Sequence, residues 1–224
     1  MEKFDLLLAV LRDMQQADIL EHFVLVGSWC QNFYRHIYGN PVEIPAARTM
    51  EADMLIPKQL PKNKQVSISA IMEKNDFAVE VDFTSGLYRF IHPDLKFEFL
   101  TNPGAKPGED VYRFKQLGIT AQELRYMAIP LDHKITVTYE DITLNIPEPE
   151  AFTLHKLIVC CLRKNPEKAQ KDSETARGML MFFEDKAQHV NRIHELYESF
   201  PKGWRKRVDD GLVKTGMSLP QQQA

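Results

Sequence analysis

Pro147-Glu148-Pro149 divides the sequence into two unlike halves. Upstream, short apolar runs alternate with helical stretches and turn residues. Downstream, the apolar residues keep the helical period throughout. Proline fixes φ and carries no amide donor, so this tripeptide ends a strand and suits the first turn of a helix. A chain built this way reads as α+β, with a mixed β-sheet domain over residues 1–146 and a helical domain over 147–224. The 224 residues are enough for a catalytic domain and a helical partner.

The first half punctuates itself. Leu6, Leu7, Val10, Leu11 and Met14 recur at helical spacing and predict a helix over 3–19. Phe23-Val24-Leu25-Val26 is a short strand that stops at Gly27-Ser28, and a second helix follows over 29–38. Gly39-Asn40-Pro41 ends that helix. Residues 48–56 read as a strand stopped by Pro57, with Thr49, Glu51, Asp53 and Leu55 on one face. A helix over 66–75 and strands over 78–84 and 95–100 come next, and 105–118 reads as a polar loop. Residues 133–139 and 142–146 form a hairpin. Four helices then fill the second half, over about 150–163, 167–184, 186–198 and 201–213.

The chemistry gathers at Gly27-Ser28 and Glu51-Ala52-Asp53. A Gly-Ser turn at a helix N-terminus offers free backbone N–H groups and a hydroxyl, which suits a triphosphate. Two carboxylates at i and i+2 on a strand converge on one face. Magnesium takes hard oxygen ligands, one or two of them carboxylates, with phosphate oxygens and water completing the shell. Paired metals can stabilise both the attacking and the leaving oxygen of a phosphoryl displacement.

Val26-Gly27-Ser28 followed by Glu51-x-Asp53 resembles the signature of the polymerase-beta-type nucleotidyltransferase superfamily. Within it, Pro149-Glu150-Ala151, His155-Lys156-Leu157 and Lys171-Asp172 resemble the bacterial toxin-type and related nucleotidyltransferases. The likeness spans about residues 22–185. The resemblance implies transfer of a nucleoside monophosphate from a nucleoside triphosphate such as ATP, with release of pyrophosphate. It implies Mg2+ or Mn2+ held by Glu51, Asp53 and a third carboxylate on a later strand. Glu98, central in Lys96-Phe97-Glu98-Phe99-Leu100, is preferred for that place over Asp82. The family's usual first residue is Asp, so Glu51 is a departure. Gly27, Ser28, Arg48, Thr49, Lys156 and Asp172 are the nucleotide-binding candidates, and Arg163 could also face the cleft. The acceptor stays open among a small molecule, tRNA and a protein hydroxyl.

Other features set bounds. Lys and Arg number 28 against 31 Asp and Glu, a net charge of −3, so no whole-chain basic field exists for nucleic acid. A local patch remains at Lys202, Arg205, Lys206 and Arg207 beside Trp204, which could touch RNA through the last helix. Cys30, Cys160 and Cys161 sit among apolar residues without metal spacing and read as buried thiols. His92, His133 and His155 also lack ligand spacing. The acidic N-terminus is no signal peptide and no apolar run is long enough to span a bilayer, so a cytoplasmic protein is expected. An alternative reading keeps the fold as a catalytically weak nucleotide- or RNA-binding module.

Overall fold

The computed structural model describes residues 2–47, 49–61, 64–103 and 111–222. The chain divides into two compact units. The first comprises Met1–Cys30 and Ala47–Pro147, and the second Gln31–Ala46 and Glu148–Ala224.

The first unit is a mixed sheet. Its elements in chain order are α1 (Lys3–Gln16), a 3-10 turn (Leu20–His22), β1 (Val24–Val26), β2 (Glu51–Ile56), α3 (Ile68–Lys74), β3 (Ala78–Val81), β4 (Tyr88–Ile91) and β5 (Lys96–Thr101). β6 (Val111–Phe114), β7 (Ile119–Glu123), α4 (Ala128–Asp132), β8 (Lys134–Tyr139) and β9 (Ile142–Pro147) complete it. Helix α2 (Cys30–Ile37) leaves this unit after its first residue. The strand order is β3-β4-β5-β2-β1-β9-β8. β5 changes partner along its length: Lys96 and Phe97 pair with β4, while Leu100 and Thr101 pair with β7, whose other edge carries β6.

Register decides what shares a face. β1 runs antiparallel to β2 with Val26 opposite Asp53 and Val24 opposite Leu55. β5 runs parallel to β2 with Glu98 opposite Asp53 and Leu100 opposite Leu55. One face therefore carries the row Val26–Asp53–Glu98 beside the apolar row Val24–Leu55–Leu100. Met127, Leu124 and Leu131, at and around α4, pack onto that apolar row. The carboxylates thus sit at the edge of a dry cluster. The other face is wholly apolar and aromatic: Leu25, Ala52, Met54, Phe97 and Phe99 are buried, and Phe99 meets Phe23 and Phe90 edge-on.

The second unit is built around α5 (Pro149–Leu162), against which α6 (Pro166–Phe183), α7 (Ala187–Ser199) and α8 (Lys202–Thr215) pack. Pro149 opens α5 and Pro166 opens α6, both at the first turn, where a missing amide costs nothing. Asn165 caps α6 by accepting the Lys168 amide at 3.1 Å. A Cβ at Gly211 would lie 2.2 Å from the Leu157 carbonyl oxygen, so α8 crosses α5 at a point that only glycine fits. Residues 31–46 belong here through Gln31, which donates to Thr175 Oγ1 at 3.0 Å, and through the edge contact of Tyr34 with Phe152.

The hairpin at 134–147 and the four C-terminal helices agree with the periodic reading within one or two residues. The expected loop over 105–118 is corrected in its described part. Residues 111–114 are a strand, because Tyr112 and Phe114 alternate with Val111 and Arg113 and pair with β7 across a turn closed by Gly118 at φ +66°. The remainder, 104–110, lies outside the described residues. β4 is an addition too, four residues between the breakers Gly86 and Pro93, and so are β7 and α4.

Candidate active site on the carboxylate face of the sheet

Three strands position the carboxylates of the first unit. β1 ends at Val26, and the chain turns through Gly27 at φ +77°. The turn is closed by the Cys30 amide donating to the Gly27 carbonyl at 3.3 Å. A Cβ on Gly27 would stand 2.8 Å from Asp53 Oδ2, so the Asp53 carboxylate lies directly over the glycine backbone. The left-handed φ favours glycine here, and a Cβ would push the Asp53 carboxylate aside. Trp29 follows, buried and stacked on Phe4 at 5.7 Å. This makes a packed wall beneath the turn.

Asp53 and Glu98 face each other across β2 and β5, and Glu51 lies two residues along on the same face. All three are half-buried, between the apolar row and solvent. The Thr49 hydroxyl accepts the Glu51 amide at 3.0 Å, so Thr49 fixes the start of β2. Arg48 lies outside the described residues. Asp82 is placed elsewhere, in the turn after edge strand β3. There its Oδ1 accepts the Ser85 and Thr84 amides at 3.1 and 2.9 Å, and these bonds hold its carboxyl below the ordinary aspartate range.

Arg89 is the residue of this face that sequence reading passed over. Its Nε lies 3.1 Å from Glu98 Oε1, and its Nη1 lies 3.9 Å from Glu80. Because Phe90 pairs with Phe97, Arg89 falls on the Glu98 face, and the polar row runs on across β4. The signal for it is the alternation in Tyr88-Arg89-Phe90-Ile91, readable once that tetrapeptide is taken as a strand.

The donor chemistry of this face fits a hard divalent cation, since Glu51, Asp53 and Glu98 offer only carboxylate oxygens. Among the described residues no three His, Cys, Asp or Glu side chains close into a protein cage. Magnesium does not need one, because substrate phosphates and water complete its shell.

Lys156 and Asp172 meet inside the second unit. Lys156 Nζ donates to Asp172 Oδ1 at 2.5 Å, and Arg163 Nε donates to Oδ2 at 2.9 Å. Lys156 is 5% exposed and Asp172 4%. Burial alone would raise the Asp172 pKa, but the two cations outweigh it and hold the carboxyl below its ordinary value. His155 beside them has its Nε2 enclosed without a partner among the described residues, although the residue as a whole is half-buried. Burial, then the neighbouring Lys156, lower its pKa to about 3, so the imidazole is neutral. Glu150 takes a partner as well, His189 Nδ1 at 2.5 Å, under the rings of Phe182 and Phe183.

Among the described residues no helix is long and apolar enough to cross a membrane. No curated protein matches the sequence. Two solved structures resemble it over nearly their whole length. One is an antigenic nucleotidyltransferase-like protein from Paracoccidioides brasiliensis, at 11% identity, 92% of each chain and a TM-score of 0.48. The other is the antibiotic-resistance factor ANT(2'')-Ia, at 12% identity, 87% of this chain, 90% of that one and a TM-score of 0.48. A family model described as nucleotidyltransferase matches residues 6–197, which include the Gly27 turn, all three carboxylates and the Lys156–Asp172 pair, and the chain belongs to that family.

Proposed function

We propose that this chain moves a nucleoside monophosphate from a nucleoside triphosphate to an acceptor hydroxyl on the carboxylate face of β2 and β5, in a reaction dependent on Mg2+ or Mn2+. The observation that carries the reading is the register of Asp53 with Glu98, with the Asp53 carboxylate lying over Gly27. Glu51, Asp53 and Glu98 would hold the cation. Bound there, it would supply charge neutralisation of the phosphates and polarisation of the oxygen at the reacting phosphorus.

The chain's own groups do the rest. The turn at Gly27 and Ser28 presents backbone N–H groups and a hydroxyl to the triphosphate tail. The acceptor oxygen forms a bond to the α-phosphorus as the bond from that phosphorus to the pyrophosphate oxygen breaks. The acceptor proton passes to Glu98, which Arg89 orients. Thr49 steadies Glu51 through the backbone, and Arg48 adjoins it in sequence. Phosphoryl transfer of this kind is mostly positioning and electrostatics, so few groups are needed. Lys156 and Asp172 act within the second unit, where Lys156 offers positive charge to phosphate only if its bond to Asp172 loosens.

Calorimetric titration of each nucleoside triphosphate with and without magnesium, on wild type and Asp53→Asn, tests the reading. Magnesium-dependent binding that disappears in a folded Asp53→Asn protein is the expected result, followed by pyrophosphate release once an acceptor is found. Full activity in that variant sinks the assignment. A second reading, a nucleotide-binding module without turnover, is favoured by Glu51 at the first position and by the hold of Arg89 on Glu98. Tight magnesium-dependent binding without pyrophosphate release, across small alcohols, tRNA and protein acceptors, would select it.

A further inference from the structure

We propose that the cleft along the outer edge of the β6–β7 hairpin binds single-stranded nucleic acid through its phosphates. This site stands apart from the carboxylate reading and does not rest on it. The cleft has a volume of about 580 Å³ and is walled by Lys58, Gln65, Tyr112, Arg113, Lys115 and Gln116 among others, with no carboxylate among the described residues of its lining. A second hollow of about 340 Å³ shares Arg113, Phe114 and Lys115 with it and extends to Tyr88.

The charges there are of two kinds. Lys58 is already engaged: Glu123, buried beneath it, pairs with its ammonium, which lies 4.9 Å from the Tyr112 ring centre. Arg113 and Lys115 are exposed, and their side chains make no ion pair or hydrogen bond among the described residues. They sit where the two hollows meet. An anion crossing that point gains both charges without breaking an existing pair, and one that continues into both hollows must be extended rather than compact.

The backbone that carries these charges is anchored on both sides. Phe114, Leu117 and Ile119 anchor the hairpin in the core. The Val66 and Ile68 amides donate to the Gln116 and Leu117 carbonyls at 3.1 and 3.2 Å and tie down its tip. β6 has no strand on its outer edge among the described residues, so the cations line an uncovered border of the sheet. With a net charge of −3 on the whole chain, the attraction is local to this border. One face of Tyr112 is taken by Lys58 and its ring meets Phe114 edge-on, which leaves little room for base stacking. Recognition should therefore follow the phosphates, with strong salt dependence and weak base preference.

The experiment is fluorescence anisotropy with labelled oligouridylate of about 12 nucleotides and the matching DNA, titrated with the full chain over a range of salt. Binding of either strand at low salt is expected, equal for both if only phosphate is read and tighter for RNA if ribose is touched as well. Arg113→Gln with Lys115→Gln should weaken binding roughly tenfold and lower the salt slope by about 1.4, as two lost phosphate contacts on a single strand require. Its melting curve should match wild type. Asp53→Asn should bind the oligonucleotide as wild type does, which separates this site from the carboxylate face. The proposal is overturned if wild type binds neither strand, or if the double variant binds unchanged. It is equally overturned if Lys206→Gln with Arg207→Gln removes the binding instead, or if free uridine triphosphate competes as well as the oligonucleotide at equal phosphate.

Discussion

Charged residues meet opposite fates in the two units. On the sheet, Glu51, Asp53 and Glu98 lie half-buried on a face that opens to solvent beside an apolar row. Among the helices, Lys156, Arg163 and Asp172 close on one another, with Lys156 and Asp172 almost wholly buried. The first arrangement concentrates negative charge where a cation and its phosphates can add oxygen ligands. The second has already spent its charges internally. Desolvation of an ion is repaid only when its partner is fixed and close, which holds for the triad. The same residue types thus lie beside solvent on a sheet face in one place and close on one another among helices in another, and the cation site is proposed only for the first.

The largest effect should come from breaking the lock. Asp172→Ala leaves the buried Lys156 ammonium without its counter-charge and should cost about 3–5 kcal/mol. Replacing both partners with Lys156→Met and Asp172→Leu should restore most of the loss. Denaturant unfolding measures both, and a single variant as stable as wild type would erase the contrast between the units.

Two glycines sharpen the comparison at the next level. Alanine at Gly211 would press its Cβ into the Leu157 carbonyl, a backbone atom that cannot swing aside, and should destabilise by about 1–3 kcal/mol although alanine is the better helix former. Alanine at Gly27 meets only the tip of Asp53, but at a positive φ. It should cost about 1 kcal/mol of stability and, by displacing that carboxylate, considerably more in magnesium-dependent nucleotide affinity. Melting curves and calorimetry on the two variants should therefore rank them in opposite orders.

Acid should loosen the second unit in two steps. His155 is held neutral when folded, with a pKa of about 3 against 6.5 unfolded. The unfolded chain takes up the proton first, so this contribution is complete above pH 6.5 and falls away as pH drops toward 3. Asp172 is depressed as well, so its contribution is present above the ordinary value of 3.8 and is lost only as pH falls through its lower folded value. By pH 5 the histidine alone should account for about 1–2 kcal/mol. His155→Gln should flatten the stability profile between pH 6.5 and 5 and leave the more acidic step in place.

Much of this was readable from residues. Alternation placed Glu51 and Asp53 on one face, and the helical period located α5 to α8 from the breaks at Pro147-Glu148-Pro149 and Asn165-Pro166. Register was not readable. That Glu98 stands opposite Asp53 depends on the pairing of two strands 45 residues apart in register, and composition says nothing about which residue meets which. Arg89 was hidden for a related reason, since β4 is four residues long and lies between two chain breakers. Gly104, Pro107, Gly108 and the charged residues on either side made 111–114 read as part of a loop, and a four-residue edge strand is too short to stand out from them. The attachment of residues 31–46 to the C-terminal helices rests on pairs such as Gln31 with Thr175, which no local pattern announces.

Arg89→Gln is the smallest and most pointed test. The pair it breaks is partly exposed, with Arg89 30% and Glu98 23% accessible, so stability should change by no more than about 1 kcal/mol. Its electrostatic consequence runs the other way. Removing a positive charge 3.1 Å from a carboxylate proposed to hold a cation deepens the negative potential there. Mn2+ affinity, followed by the loss of its free electron paramagnetic resonance signal, should therefore rise about threefold to tenfold. If Glu98 also depends on Arg89 for its orientation, turnover should fall while Mn2+ binds more tightly, a split that a purely structural ion pair would not produce. A fall in Mn2+ affinity would mean that Arg89 holds Glu98 in its metal-binding position, and the open character assigned to this face would give way to a second lock.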